Sequence, residues 1–150
     1  MKLAEALQER ADLNRLIEQL KARLMNNAIV QEGDAPAEDP AELLAELDRS
    51  VERLRELISR INATNCAAMA EGESLTALIA RKDCLTIKLG AYRDFVREAS
   101  QTARRATKTE IRIVSTVNVR EIQRTVDALS KELRIVDNRI QEANWKTELQ

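Results

Sequence analysis

Apolar residues return every three or four positions along most of the chain, which is the spacing of one face of an α-helix. Four segments keep this spacing and predict helices at about residues 2–27, 40–65, 74–107 and 118–144. Start signals precede three of them: Asp39 before Pro40, Ser74 after the turn EGE, and Asn118 with Glu121 three residues on. Further apolar residues beside these rows make the apolar face wide enough to contact two neighbouring helices, namely Leu16, Leu43, Leu57, Ile79 and Phe95. The pattern therefore predicts a mainly all-α fold, an elongated antiparallel four-helix bundle of coiled-coil type, in a single domain of residues 1–150. In the second helix the predicted buried row is Leu44, Leu47, Val51, Leu54, Ile58 and Ile61.

The stretch TEIRIVSTVNV breaks the helical spacing, because its apolar residues return at every second position, as in a β-strand. A second short candidate strand follows the first predicted helix. If the helices alternate in direction, both candidate strands lie at the same end of the bundle. Pairing would satisfy their backbone groups, so we predict a two-stranded β cap at one end, with strands at about residues 28–32 and 110–117.

Charge is balanced overall, with 24 Lys and Arg against 25 Asp and Glu, so no global field attracts nucleic acid or an anionic membrane. Along the chain, however, the charge is unevenly distributed. The link after the first helix is acidic, with Glu32, Asp34, Glu38, Asp39, Glu42 and Glu46. A later segment is basic and is a candidate interaction surface, with Arg104, Arg105, Lys108, Arg112, Arg120 and Arg124. Mutual neutralisation of the two links is one interpretation, and a phosphate- or RNA-binding surface is the other.

The chain contains no histidine, which excludes Ser-His-Asp and Cys-His catalysis, the common zinc sites and the Glu-x-x-His pairs of di-iron bundles. Cys66 and Cys84 stand apart and are expected to be buried or half-buried. Gly90, inside the third predicted helix, is expected to permit a close helix contact. We therefore expect no catalytic residue, no metal, no cofactor and no small-molecule substrate, and interpret the chain as non-enzymatic.

Asparagines are concentrated near predicted helix ends, where their tolerance of unusual backbone angles is useful. One group is a candidate polar end patch, formed by Asn62, Asn65, Asn144 and Trp145. Alternatively, the indole of Trp145 closes the end of the bundle and its N–H donates to a carbonyl. The N-terminal residues lack the apolar region of a signal peptide, and no apolar run approaches the roughly 18 residues of a spanning helix. We expect a cytoplasmic protein that does not enter membranes.

Several strings resemble a known family: MKLAEALQERADLN, LMNNAIVQEG, EDPAELLAELD, RINATN, STVNV and QEANWKTEL. They are similar to a family of small uncharacterised bacterial proteins, some of which carry the name septicolysin. The resemblance spans nearly the whole chain. It implies a bacterial cytosolic helical protein without an established activity, and it assigns no functional residues.

Three hypotheses follow from these observations. The first is a structural or protein-interaction protein that forms homo-oligomers, because the predicted helices are long and aromatic residues are few. The second is an RNA- or nucleic-acid-binding helical module that uses the basic segment 104–124. The third is a membrane-active, lysin-like helical protein, since amphipathic helices can spread on a lipid surface.

Overall fold

The computed structural model describes residues 1–102 and 111–150. Within them the chain forms four helices and one two-stranded sheet. In chain order these are α1 Leu3–Asn26, α2 Pro40–Ala67, β1 Met69–Ala70, β2 Glu73–Ser74, α3 Leu75–Ala99 and α4 Val119–Lys146. The prediction of a mainly helical fold with a small two-stranded β element is confirmed.

Short polar residues begin three of the helices by binding backbone N–H groups that have no partner within the helix. The Asp39 carboxylate accepts from the Ala41 N–H at 2.9 Å, and Pro40 is the first residue of α2. The Ser74 hydroxyl accepts from the Ala77 N–H at 3.1 Å. The Asn118 side-chain oxygen accepts from the Glu121 N–H at 3.3 Å before α4. The start signals in the sequence therefore place these helices correctly.

The strands do not lie where the alternating pattern predicted them. β1 and β2 form a hairpin between α2 and α3, whose turn residues Glu71 and Gly72 have φ of 50° and 89°. Two consecutive positive φ angles are typical of the tight turn that matches the twist of paired strands. Residues 28–32 contain no strand, and neither do residues 111–117, the described part of the second prediction.

The predicted strand positions are therefore wrong, and side-chain burial gives the physical reason. Alternation predicts a strand because one of its faces is buried against a core. Here Ile111, Ile113 and Val114 of the second segment are exposed, and Val117 is half-buried. The third helix also ends before residue 107, the predicted end. It ends at Ala99, and the Ser100 N–H donates to the Val96 carbonyl at 3.0 Å. Residues 103–110 lie outside the described part of the chain.

The described residues group into two compact units, and the first comprises residues 1–69 and 142–150. In this unit α1 and α2 form an antiparallel hairpin. Glu9 near the start of α1 binds Arg53 in α2, whereas Arg23 near the end of α1 binds Glu38 just before α2. The hairpin core is almost entirely aliphatic, with Leu3, Ala6, Leu20, Leu43, Leu57 and Ile61 buried.

Residues 147–150 are attached to the same hairpin by backbone hydrogen bonds. The Leu3 N–H donates to the Thr147 carbonyl and the Leu149 N–H donates to the Met1 carbonyl, both at 2.9 Å. The Gln150 N–H donates to the hydroxyl of Thr64 at 3.0 Å. Because Leu149 is buried, this segment adds to the core of the first unit.

The second unit comprises residues 70–141 and is built mainly from α3 and most of α4. These helices are antiparallel, since Lys82 of α3 binds Asp137 of α4 at 2.6 Å while Arg93, further along α3, binds the earlier Ser130 at 3.1 Å. Its buried side chains are again aliphatic: Leu75, Leu78, Leu85, Leu89, Val126, Leu129, Val136 and Ile140. The single domain of residues 1–150 stays a prediction.

Candidate interaction surfaces

The buried face of α2 is centred on Leu43 and Leu57, which the sequence pattern placed at the edge of the apolar face, although Ile61 of the predicted row is buried too. Buried side chains recur at every seventh position, at Leu43, Ser50, Leu57 and Thr64. The residues that follow the first three of them, Leu44, Val51 and Ile58, are 50%, 47% and 40% exposed. The prediction that these three form the buried row is therefore wrong.

Two hydroxyl residues explain this difference. The Ser50 hydroxyl donates to the Glu46 carbonyl, and the Thr64 hydroxyl donates to the Arg60 carbonyl, both at 2.8 Å. Each hydroxyl proton thus has a partner within the same helix, so the small side chain can be buried without leaving a donor unsatisfied. A row chosen for apolar residues alone passes over Ser50 and Thr64 and selects the adjacent, exposed row.

We call the exposed row of Leu44, Val51 and Ile58 the α2 stripe. Its members are seven residues apart, nearly two helical turns, so they share one face and span about 21 Å. On one side the stripe adjoins the half-buried Leu47 and Leu54. Single exposed apolar residues are common on protein surfaces, whereas a continuous apolar row is typical of interaction sites.

Charged residues border the other side of the stripe. Asp48 lies three positions before Val51 and Arg55 four positions after it, so both flank the stripe on the same edge. Arg55 donates to Glu52 of its own helix, with 2.9 Å between Arg55 Nε and Glu52 Oε2. This hydrogen bond raises the pKa of Arg55 and lowers that of Glu52. Asp48 has no ion pair with any described residue.

The basic segment lies partly outside the described residues, where Arg104, Arg105 and Lys108 fall. Arg112 is exposed in the irregular stretch before α4, and Arg120 and Arg124 are exposed in the first turns of α4. Arg124 lies four positions after Arg120, so the two share one helical face. None of these three arginines has an ion pair with a residue that the structure describes.

Two of the six acids in the acidic link have partners in their own unit. Glu38 binds Arg23, with Arg23 Nε 3.0 Å from both carboxylate oxygens, and this bond lowers the pKa of Glu38 and raises that of Arg23. Asp39 caps α2. Asn27 supports the same connection, since its side-chain NH₂ donates to the Arg23 carbonyl at 2.9 Å and its side-chain oxygen accepts from the Glu38 N–H at 3.0 Å. Neutralisation of the acidic link by the basic segment stays a prediction.

The candidate polar end patch contains side chains of very different exposure. Asn62 is exposed and Asn65 half-buried in the last turns of α2. Near the end of α4, Asn144 is buried while its neighbour Trp145 is 60% exposed. The prediction that the indole closes the bundle end is therefore wrong, because adjacent residues of a helix point in different directions and the buried position belongs to Asn144.

The cysteines and Gly90 also differ from expectation. Cys66 and Cys84 are both exposed and neither forms a disulfide, so the prediction that they fill the core is wrong. On α3, Cys84 directly precedes the buried Leu85 and so lies on a different face. A β-carbon on Gly90 would meet no atom within 4 Å, so the predicted close helix contact at this glycine is wrong.

No three carboxylate or thiol side chains in residues 1–102 and 111–150 are grouped so that they could hold a metal ion. None of the helices in these residues combines the length and apolar character needed to span a bilayer.

Sequence reasoning missed a groove between α3 and α4 in the second unit. The groove has a volume of about 360 Å³ and is open to solvent. Its charged lining residues are Lys82, Arg93, Arg134 and Asp137, and its apolar lining residues are Leu89 and Leu133. One signal was present, because Lys82 interrupts a row of leucines in α3. Arg93 and Arg134 gave no such signal, because charged residues are ordinary on helix faces. Whether these two arginines line the same groove depends on how α3 and α4 pair.

The fold and these surfaces define a mainly helical protein with candidate interaction surfaces. Residues 10–149 match the Family of unknown function (DUF6847), and the chain belongs to this family. It is also similar to a solved structure, described as the crystal structure of a functionally unknown conserved protein from Corynebacterium diphtheriae. The sequences are 40% identical, the TM-score is 0.94, and the similarity covers 100% of this chain and 99% of that one.

No curated protein matches the chain. The resemblance to an uncharacterised family is confirmed, and the name septicolysin occurs in neither of the two descriptions.

Proposed function

We propose that this chain is a non-enzymatic protein-interaction module that associates with a second copy of itself through the α2 stripe. The observation that supports the proposal is the half-exposed apolar row of Leu44, Val51 and Ile58, bordered by Asp48 and Arg55. Burying such a row against a partner removes apolar surface from water, which is the main driving force of protein association.

The order of residues along the stripe favours an antiparallel pairing. A two-fold axis near Val51 brings Val51 against its own copy and Leu44 against Ile58 of the second copy. The same axis brings Asp48 opposite Arg55 of the second copy, and symmetry repeats this pair. A parallel pairing would instead place Asp48 and Arg55 of one copy against the apolar edge of Leu47 and Leu54 of the other, which leaves both charges without a partner and disfavours association.

The expected dimer is weak and reversible. A contact of about 21 Å along one helix is at the small end of specific interfaces. Arg55 is bound to Glu52 in its own helix, but both side chains are about two-thirds exposed. Exposed ion pairs of this kind stabilise proteins little, so Arg55 can turn toward Asp48 of the second copy at small cost.

Sedimentation velocity over a range of protein concentrations tests the pairing. The wild type is expected to show a concentration-dependent monomer–dimer equilibrium. Asp48→Arg and Arg55→Asp should each weaken it, because each puts two like charges opposite one another. Combining both substitutions should restore association, since the opposite pairs are re-formed with their positions exchanged.

The matched control is Arg15→Asp, which disturbs an exposed ion pair with Asp12 on α1. It should leave the dimer unchanged. A wild type that stays monomeric at all concentrations would overturn the proposal. So would a double variant that associates less than either single variant. Circular dichroism of each variant checks that α2 remains folded.

A second candidate function is nucleic-acid binding by the basic segment 104–124. The support is that Arg112, Arg120 and Arg124 are exposed and have no ion pair among the described residues. Replacing Arg120 and Arg124 by alanine should weaken RNA retention and make its salt dependence less steep. Replacing the exposed Arg15 and Arg49 in the other unit is the control, and equal losses from the two double variants would reject this function.

A further inference from the structure

The groove between α3 and α4 has more positive than negative charge on its walls. Lys82 and Asp137 neutralise one another, with 2.6 Å between Lys82 Nζ and Asp137 Oδ1. Arg93 has a neutral partner, the hydroxyl of Ser130 at 3.1 Å. Arg134 has no ion pair or hydrogen bond with any described residue. Two guanidinium groups thus line one groove without a carboxylate to neutralise either.

The donors that remain in the groove belong to these arginines. The Ser130 hydroxyl donates its proton to the Val126 carbonyl at 2.8 Å, and the Thr86 hydroxyl donates to the Lys82 carbonyl at 2.9 Å. Neither hydroxyl proton is therefore free for a ligand. A guanidinium has five N–H donors in a planar fork, and Arg93 uses one of them here. The unused N–H groups suit an anion with several oxygens.

The unit as a whole has the charge that such a ligand requires. Residues 70–141 contain 14 Lys and Arg against 10 Asp and Glu, a formal charge of +4. The remaining residues contain 10 against 15, a formal charge of −5. The described residues of this unit, 70–102 and 111–141, have 11 Lys and Arg against 9 Asp and Glu, a formal charge of +2, which favours the approach of anions.

The size and lining of the groove restrict the ligand further. Its volume of about 360 Å³ lies within the range of small-molecule sites and suits a small organic ligand. Its apolar part is formed by Leu89, which is 2% exposed, and the half-buried Leu133. No aromatic side chain lines it, so the bases of single-stranded nucleic acid could not stack there.

We propose that this groove binds a small organic phosphate. The phosphoryl oxygens accept from Arg93 and Arg134, and the apolar part of the ligand lies on the half-buried Leu133. Lys82 holds Asp137 in an ion pair, which limits repulsion between that carboxylate and the ligand. This site uses no residue of the α2 stripe and goes beyond the proposed self-association.

An NMR titration of the isotope-labelled full chain with phenyl phosphate tests the site. This probe combines a phosphoryl dianion with a small apolar ring. Saturable shift changes are expected at residues of the groove, with inorganic phosphate binding the same residues more weakly because it lacks the ring. Arg134→Ala and Arg93→Ala should each weaken phenyl phosphate binding by roughly tenfold, since each removes a charged donor.

The matched control is Lys131→Ala, which removes an exposed cation of the same helix that does not line the groove. It should leave the affinity unchanged. Equal weakening by Lys131→Ala and Arg134→Ala would overturn the proposal, because it would indicate attraction by overall charge. Absence of saturable shifts, or tighter binding of an oligo-uridylate than of phenyl phosphate at the groove, would also overturn it.

Discussion

Arg23 and Glu38 form a two-oxygen ion pair that joins the end of α1 to the start of α2, with Arg23 Nε 3.0 Å from each carboxylate oxygen. Asn27 hydrogen-bonds to the backbone of the same two residues. The connection between the helices is thus held at both of its ends, although residues 28–32 within it form no regular structure.

Acidification should weaken the protein partly through Glu38. Arg23 lowers the pKa of this carboxyl in the folded state, so its stabilisation is present above the ordinary Glu value of 4.5 and is lost as pH falls through the lowered pKa. We expect the melting temperature to fall less steeply below pH 4.5 in Glu38→Gln than in the wild type. Thermal melts at a series of pH values measure this. Glu32→Gln, exposed in the same connection, should leave the wild-type slope unchanged.

The position of the buried row on α2 predicts a large difference between two adjacent residues. Leu57 is 0% exposed, whereas Ile58 is 40% exposed. Leu57→Ala should cost about 2–5 kcal/mol, because it removes buried surface and leaves a cavity. Ile58→Ala should cost roughly 1 kcal/mol or less, since much of the side chain is already in water. Urea unfolding at low protein concentration measures both, and equal costs would contradict the assigned face.

Two glycines should respond to alanine in opposite directions. Gly90→Ala should stabilise the protein by about 0.5–1 kcal/mol, because alanine is the better helix former and its β-carbon meets no atom within 4 Å. A β-carbon at residue 72 would also meet no atom within 4 Å, but the φ of Gly72 is +89°. Alanine is strained at that angle, so Gly72→Ala should be destabilised. Denaturant unfolding compares the two, and a destabilised Gly90→Ala would contradict the open surroundings of that residue.

Arg53 binds two acids, Glu9 of α1 across the helix pair at 2.7 Å and Glu56 of its own helix at 2.8 Å. Both hydrogen bonds raise its pKa, so Arg53 stays charged at any pH at which the protein is folded. A double-mutant cycle with Glu9→Ala and Arg53→Ala should give a coupling free energy of up to about 1 kcal/mol, because the pair is partly exposed. Added salt should reduce it. A coupling near zero would show that the cross-helix pair adds nothing to hairpin stability.

The sequence predicted best those features that depend on residues close to one another along the chain. Asp39 before Pro40, Ser74, and Asn118 with Glu121 predicted three helix starts, since a cap and its backbone partner are close in sequence. The hairpin at Glu71 and Gly72 was missed because its strands have two residues each, too short to show alternation.

The sequence was least informative where one element meets another. The spacing of apolar residues favoured the row of Leu44, Val51 and Ile58. The buried positions instead include Ser50 and Thr64, whose burial depends on hydrogen bonds from their hydroxyl groups to carbonyl groups of the same helix. The meeting of Arg93 and Arg134 in one groove depends on the register between α3 and α4, which no spacing within either helix encodes.

The opposite formal charges of the two units, +4 and −5, have a practical consequence for handling the protein. Adsorption to a charged resin depends on the patch that faces it and not on the charge of the whole molecule. At neutral pH and low ionic strength the chain should therefore be retained by both cation and anion exchangers. Its retention would not follow the overall isoelectric point of about 5.7.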